Sequence, residues 1–194
     1  MKTETIIKIP ENVEVSLSDK HNNDVNYNQS NQELIYAIKG PLGSTSINFK
    51  KLDKNGIASI RFDQSKREII IRSLDSKYNG LYKKLLENKF IGVSRGFCVY
   101  LEIVGVGYRA SLDTSLLSND TLLLKLGYSH DVQYKVPKGV RVFLQSPSEI
   151  CIFGVDLNQV TQVAHSIRAI RPPSVYKGKG IRLSTEKIRT KAGK

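Results

Sequence analysis

The sequence is short of several residue types, and each shortage excludes a class of protein. It has no tryptophan and only two cysteines in 194 residues. Cys98 and Cys151 lie in apolar, strand-like runs without a CxxC pair, so we interpret them as small buried hydrophobic residues in a reducing compartment rather than as disulfide or zinc ligands. The three histidines, His21, His130 and His165, lack the spacing of metal ligands. We therefore predict neither a metal nor a cofactor.

Long hydrophobic runs are also missing. No apolar stretch approaches the ~20 residues that a membrane-spanning helix needs. The N-terminal segment carries Glu4, Glu11 and Glu14 and starts directly in a strand-like pattern. It therefore resembles neither a secretory signal nor an acid-poor transit peptide, and we expect the chain to work where it is made or to have lost its targeting segment.

Acidic residues are scarce relative to basic ones, with 18 Asp and Glu against 30 Lys and Arg, for a net charge of +12. Half of that excess lies in Pro172–Lys194, which contains seven cations and one acid, Glu186. A basic protein can simply be soluble, but charge concentrated in one segment favours binding to a polyanion, most commonly nucleic acid.

The first half of the chain predicts short strands followed by one helix. A polar, Asn-rich stretch, Ser18–Gln32, has no apolar period and indicates an inserted loop. Apolar residues from Tyr78 to Phe90, including Leu81, recur at spacings of three and four, which predicts an amphipathic helix that Asp75 or Ser76 caps and that ends before Gly92. Strands are predicted at 5–9, 13–17, 34–38, 57–62 and 68–72, with a turn at 39–43.

The second half repeats this plan. A helix is predicted from Leu157 to Ile170, with Asp156 and Gln159 as a capping-box-like pair and Pro172 as the residue that ends it. The segments IPENVEVSL (9–17) and VPKGVRVFL (136–144) also resemble each other. Strands are predicted at 96–106, 122–126, 132–136, 140–144 and 149–153.

These patterns predict an α+β protein built from two tandem homologous modules, each a small, mainly antiparallel sheet covered by one helix. The N-terminal module is residues 1–94, with the insertion at 18–32, and the C-terminal module is residues 95–171. A basic extended C-terminal tail follows at 172–194, which we expect to lie outside any core.

Two motifs invite an enzymatic interpretation. Gly105–Ala110 has the GxGxxA pattern of a dinucleotide-binding turn, but no helical period follows it, so a bend between strands is the better interpretation. Ser129, His130 and Asp131 are consecutive turn residues whose side chains point in different directions, which disfavours a catalytic relay. We therefore predict that the protein is not an enzyme and has no small-molecule substrate.

The basic C-terminal residues give the strongest functional signal. Glycines between cations would let a phosphate backbone approach closely, and a tyrosine could stack on a base. An unstructured solubility tail is the alternative, but Tyr176, Ile181 and Leu183 are more order-promoting than such a tail requires. The candidate RNA-binding residues of the helix end and the tail are Arg168, Arg171, Tyr176, Lys177, Gly178, Lys179, Gly180, Arg182, Lys187, Arg189 and Lys191.

Four motifs carry a family resemblance: GVGYRA (105–110), LGYSH (126–130), GVD (154–156) with its helix, and IRAIRPP (167–173) leading to YKGKGIR (176–182). In order and spacing they resemble the bacterial-type, including organellar, family of large-subunit ribosomal protein six. The resemblance covers the C-terminal half closely and the N-terminal half loosely, where the insertion departs from the family pattern. It adds Arg109, Ser129 and His130 to the candidate RNA contacts.

The resemblance implies a structural constituent of the large ribosomal subunit that serves translation. Its partners would be large-subunit ribosomal RNA, near the sarcin–ricin loop and the base of the factor-binding stalk, and neighbouring ribosomal proteins. An Asn-, Lys- and Ile-rich composition favours an organelle-encoded chain in the mitochondrial matrix, with a bacterial cytoplasm as the alternative. A free nucleic-acid-binding regulator outside the ribosome would use the same charge and stays open.

Overall fold

The chain forms two compact units, Met1–Arg95 and Gly96–Lys194. The computed structural model describes residues 3–19, 34–48, 58–63, 65–73, 75–113 and 121–191. Among these residues each unit contains antiparallel strands and one helix, which confirms the predicted α+β class. Most of the predicted insertion, 20–32, lies outside the described residues, while Ser18 and Asp19 end a strand.

In its described residues the first unit has two three-stranded antiparallel sheets and one helix. The sheets run in the orders β1–β6–β5 and β2–β3–β4, so the predicted single sheet is split in two. The elements are β1 Thr3–Lys8, β2 Glu14–Asp19, β3 Leu34–Gly40, β4 Gly43–Asn48, β5 Ala58–Asp63, β6 Glu68–Ser73 and α1 Ser76–Ser94.

Helix α1 packs on strands of both sheets through one apolar stripe. Tyr82, Leu86 and Phe90 are buried as predicted, but Leu81 is half exposed. The prediction that the helix ends before Gly92 is wrong: it continues to Ser94 because Val93 buries its side chain completely. Asp75 is the N-cap residue but makes no side-chain capping hydrogen bond. Strand β4 was missed, because its polar residues give only a weak strand pattern.

The second unit has a three-stranded and a four-stranded antiparallel sheet, ordered β10–β9–β8 and β11–β12–β7–β13. The glycine-containing turn at 105–107 leads the chain out of β7 into the other sheet, so here too two sheets replace the predicted one. The elements are β7 Phe97–Val104, β8 Arg109–Asp113, β9 Thr121–Lys125, β10 Val132–Lys135, β11 Val140–Ser146, β12 Glu149–Gly154, α2 Leu157–Ile170 and β13 Gly180–Leu183.

Helix α2 covers the four-stranded sheet. Its buried stripe is Val160, Val163, Ala164 and Ile167, as the spacing predicts. The Asp156 carboxylate accepts a hydrogen bond from the Asn158 backbone N–H at 3.1 Å, which satisfies one free donor of the first turn.

The two cysteines differ in burial. Cys151 is buried, and burial is the main cause that raises the pKa of its thiol. Cys98 is exposed, so its predicted burial is wrong: it lies on the outer face of β7, opposite the face that α2 covers. The sequence after Gly105–Ala110 also predicts a hairpin around Leu117–Asp120, and this segment lies outside the described residues. Within the described ranges no helix is long and apolar enough to cross a membrane.

Candidate nucleic-acid interface

The basic C-terminal stretch is partly built into the second unit. Strand β13 pairs antiparallel with β7, with Ile181 opposite Ile103. Ile181 is 0% exposed and belongs to the hydrophobic core. The prediction that this stretch lies outside any core is therefore wrong, because alternate residues of an edge strand still face the core while their neighbours face outward.

Two of the predicted RNA-binding arginines are neutralised by carboxylates. The Arg168 guanidinium binds Glu186 in a two-point ion pair, in which Nε donates to Oε2 at 2.8 Å and Nη2 donates to Oε1. Hydrogen bonding to Arg168 is the main reason that the pKa of Glu186 is lowered from its ordinary value. Arg182 binds Glu102 of β7, with Nη2 2.7 Å from Oε2. Both arginines therefore hold the C-terminal segment to the unit.

The segment between α2 and β13 forms a closed loop rather than an extended strip. The Ser174 N–H donates to the Lys179 carbonyl at 2.9 Å, and the Gly178 N–H donates to the Ser174 carbonyl at 2.8 Å. Farther along, the Lys191 N–H donates to the Val175 carbonyl at 2.9 Å, so the chain folds back on the loop. The predicted extended tail is thus wrong for the described residues up to 191. We call residues 174–179 the basic loop.

The two glycines of KGKG have different roles. Gly178 has φ +65°, and a Cβ placed there would meet nothing within 4 Å. Gly180 has φ +142°, and its Cβ would lie 2.6 Å from the Pro172 carbonyl oxygen. Gly180 therefore lacks a side chain because its own chain packs against it, and only Gly178 leaves open space beside a positive-φ backbone.

Most of the predicted cations outside these ion pairs lie at the surface. Tyr176, at the tip of the basic loop, is 64% exposed. The predicted site residues whose side chains are exposed are Arg109, Ser129, His130, Tyr176, Lys177, Lys179, Lys187, Arg189 and Lys191. Fewer cations are therefore available to a polyanion than the sequence contains, but the remaining ones are accessible.

Arg171, the C-cap residue of α2, is held by two aromatic rings. Its guanidinium carbon lies 4.7 Å from the centroid of the Tyr128 ring and 5.9 Å from that of Tyr108. The Tyr128 hydroxyl donates to the Ile170 carbonyl at 2.9 Å and so satisfies a free acceptor at the end of α2. We call Tyr108, Tyr128 and Arg171 the stacking cluster.

The stacking cluster joins three of the four sequence motifs. Tyr108 comes from GVGYRA, Tyr128 from LGYSH and Arg171 from IRAIRPP. Within the last of these motifs, the Ile181 N–H of YKGKGIR donates to the Arg171 carbonyl at 2.8 Å. The remaining motif, GVD, precedes α2, whose C-cap is Arg171. Sequence reasoning did not select the two tyrosines as site residues, although both lie in quoted motifs. The sequence feature that could have identified these tyrosines is the presence of glycines near them, because a glycine makes room for an aromatic ring.

The enzymatic alternatives do not match this geometry. Arg109–Asp113 is strand β8 paired with β9, which confirms that no helix follows the GxGxxA turn. The Asp131 carboxylate forms an ion pair with Lys125 at 3.5 Å instead of orienting His130. Among the described residues no group of three or more His, Cys, Asp or Glu is arranged to hold a metal ion.

Comparison with known proteins identifies the family. The family model described as "Ribosomal protein L6" matches residues 104–183, which include the stacking cluster, the basic loop and β13. A large ribosomal subunit protein uL6m from Prototheca wickerhamii is 68% identical, with 98% of this chain and 95% of that protein covered.

Bacterial relatives also match across most of the chain. A large ribosomal subunit protein uL6 from Thermotoga maritima is 39% identical, covering 82% of this chain and 87% of the relative. A uL6 protein from Bartonella tribocorum is 45% identical, covering 82% of this chain and 86% of the relative. On identity and coverage, the chain belongs to the ribosomal protein L6 family.

Proposed function

We propose that this protein is a structural, non-enzymatic constituent of the large ribosomal subunit that binds large-subunit ribosomal RNA and serves translation. Relatives covering most of this chain carry the name of that subunit. The observation that carries RNA binding is the meeting of three sequence motifs at the stacking cluster, beside the exposed basic loop. Cations with aromatic groups between them bind both phosphates and bases.

The RNA contact is electrostatic in its main part. Arg109, Lys177, Lys179, Lys187, Arg189 and Lys191 are exposed cations of the second unit. If roughly six of them each neutralise one phosphate, log K falls against log salt by about 0.9 per contact on duplex and about 0.7 on single strands. Arg168 and Arg182 hold the C-terminal segment in place, so they support this surface rather than supply its charge.

The RNA neighbourhood we propose is the sarcin–ricin loop and the base of the factor-binding stalk, with neighbouring ribosomal proteins as further partners. This placement rests on the family motifs GVGYRA, LGYSH and YKGKGIR. A rigid second unit that presents loops and cations at one end is suited to fixing the relative position of RNA helices, because phosphate contacts set register and orientation.

We also propose that the two units are related modules. In the segment that resembles its counterpart, the Val13 N–H donates to the Pro10 carbonyl at 3.1 Å, and the Val140 N–H donates to the Pro137 carbonyl at 3.3 Å. A strand follows each of these proline turns and pairs with the next strand, β2 with β3 and β11 with β12. The same turn before the same pairing supports a common origin for residues 1–94 and 95–171.

We place the protein in the mitochondrial ribosome. The name uL6m of the Prototheca relative, at 68% identity, marks the mitochondrial form of this ribosomal protein. An organelle-encoded chain fits the Asn-, Lys- and Ile-rich composition and the absence of tryptophan.

Co-sedimentation with large ribosomal subunits through a high-salt gradient tests the proposed function. An integral constituent stays with the subunit, because it contacts RNA and neighbouring proteins at many points. A free regulator bound by charge alone dissociates as salt rises and remains at the top of the gradient. Recovery of the protein only at the top would contradict the proposal and favour the regulator.

A further inference from the structure

The stacking cluster differs from the other arginine sites of the second unit. Arg168 and Arg182 face carboxylates, whereas Arg171 faces two aromatic rings. No ion pair between Arg171 and a carboxylate occurs among the described residues. Among these residues its positive charge is therefore not neutralised, and the flat guanidinium group is oriented by π-faces.

The cluster is fixed from several sides before any partner binds. A Cβ at Gly105 would lie 2.5 Å from the Tyr108 ring and one at Gly127 would lie 3.0 Å from it, so this ring fills the space that two glycines leave. The Tyr128 hydroxyl donates a hydrogen bond to the Ile170 carbonyl at the end of α2, and the Arg171 carbonyl accepts one from the Ile181 N–H of β13. Groups already ordered lose little conformational entropy when they bind a ligand.

One side of the cluster is open to solvent. Tyr128 is 46% exposed, although its hydroxyl is satisfied by the chain. What remains accessible is therefore ring surface and the guanidinium plane rather than an unused hydrogen-bonding group. At the nearby turn Val106 is 90% exposed between two glycines, so the rim of this surface also presents an apolar side chain.

We propose that Tyr128 and Arg171 form a stacking platform for one unpaired nucleobase of RNA, an inference that rests on the proposed function and sharpens it. Unpaired bases stack on tyrosine rings and on arginine planes, and a guanidinium adds attraction to a π-face. A phosphate contact alone would need the charge of Arg171 but not its planar shape or the ring beneath it. The platform therefore recognises an unstacked base, while the basic loop binds phosphates without regard to base pairing.

A double-mutant cycle between protein and RNA tests the platform. The probe is a large-subunit ribosomal RNA fragment that contains the sarcin–ricin stem-loop and its neighbouring helices, with unpaired nucleotides replaced one at a time by abasic sites. The full-length wild-type chain should lose affinity about 10-fold at one position. The Arg171→Lys variant, which keeps the charge, should lose a similar factor on intact RNA and little more on that abasic RNA, because both changes remove one interaction.

Three further variants test the ring and control for folding and charge. Tyr128→Phe keeps the ring and should retain the coupling to the same abasic position, whereas Tyr128→Leu should abolish it. Lys177→Ala should weaken binding of intact and abasic RNA by the same factor. Circular dichroism and thermal unfolding of each variant verify that the second unit is intact.

The outcomes separate this inference from the proposed function. Salt-dependent binding by the wild-type chain would leave the proposed function standing. The platform would still be overturned if Arg171→Lys and Tyr128→Leu each lost the same factor of affinity on intact RNA and on every abasic RNA. Retention of full affinity by Arg171→Lys on intact RNA would do the same, since a lysine can replace an arginine at a phosphate but not in a stack. Failure of the wild-type chain to bind the fragment would overturn both.

Discussion

The basic loop and strand β13 are adjacent and each contains a glycine and at least one cation, yet their cations have different surroundings. In the loop, Lys177 and Lys179 point to solvent from a turn closed by its own hydrogen bonds. In β13, Ile181 is fully buried and Arg182 is neutralised by Glu102. A run of alternating glycines and cations thus contains one half whose cations are exposed and one half that is built into the sheet and paired with an acid.

The comparison shows that a cation's role depends on partners distant in sequence. Arg182 and its acid, Glu102, are 80 residues apart, and only the pairing of β13 with β7 brings them together. Lys177 has the same charge and no such partner among the described ion pairs. Charge concentration in sequence predicts a polyanion-binding region, but it overestimates the number of cations that are free to bind.

Substitution of Ile181 by alanine should have the largest effect on stability. Removal of a fully buried isoleucine leaves a cavity and should lower the free energy of unfolding by about 2–5 kcal/mol. Val175→Ala in the basic loop, where the side chain is 43% exposed, should change it by less than ~0.5 kcal/mol. Urea unfolding monitored by circular dichroism measures both, and equal losses would show that β13 is not part of the core.

Alanine substitution of Gly180 in β13 and of Gly178 in the basic loop should give a smaller difference in unfolding free energy. Gly180→Ala places a Cβ against the Pro172 carbonyl oxygen in a positive-φ backbone and should cost roughly 2–3 kcal/mol of unfolding free energy. Gly178→Ala meets open space and should cost only the backbone strain, about 1 kcal/mol. Thermal unfolding compares the two variants, and a larger loss for Gly178→Ala would contradict the packing.

Acid should weaken the link between Arg168 and Glu186. Because the folded state lowers the pKa of Glu186, this carboxylate stabilises the fold above its ordinary pKa of 4.5, and the stabilisation is lost as pH falls through the lower folded-state value. Glu186→Gln should therefore reduce unfolding free energy at pH 7 by about 1 kcal/mol.

Unfolding curves of wild type and Glu186→Gln between neutral and acidic pH measure this effect. The difference should shrink as pH falls below 4.5, where the unfolded chain takes up the proton, and vanish once the folded-state carboxylate is also protonated. Glu149→Gln, which changes an exposed acid on β12, is the control and should leave the unfolding free energy at pH 7 nearly unchanged. If the difference in unfolding free energy between wild type and Glu186→Gln stays constant in acid, the ion pair does not contribute to stability.

Periodicity predicted the helices and most strands well. The buried stripe of α2 follows from spacings of three and four, and its cap follows from Asp156. Strand β13 was not predicted, because only Ile181 and Leu183 in it are apolar and because glycines and prolines precede it. A short edge strand gains its stability from pairing with β7, a long-range contact that local sequence does not encode.

The candidate site was only partly predicted, because some of its residues also come together through long-range contacts. Exposed cations such as Lys177 can be inferred from composition and turn residues, which are local. The stacking cluster needs Tyr108, Tyr128 and Arg171 from three separate loops, so it becomes visible only once β8, β9 and α2 are in place. The pairing of Glu186 with Arg168 likewise depends on how the C-terminal segment folds back toward α2.

The salt dependence of RNA affinity tests the central claim most directly: the exposed cations bind RNA and the paired arginines hold the fold. With the ribosomal RNA fragment as probe, Lys177→Ala/Lys179→Ala should lower the slope of log K against log salt by about 1.4–1.8 without altering unfolding. Arg168→Gln/Arg182→Gln should leave the slope unchanged and lower the unfolding temperature, and Lys135→Ala/Lys138→Ala should change neither. An unchanged slope for the lysine pair together with a reduced slope for the arginine pair would contradict the account.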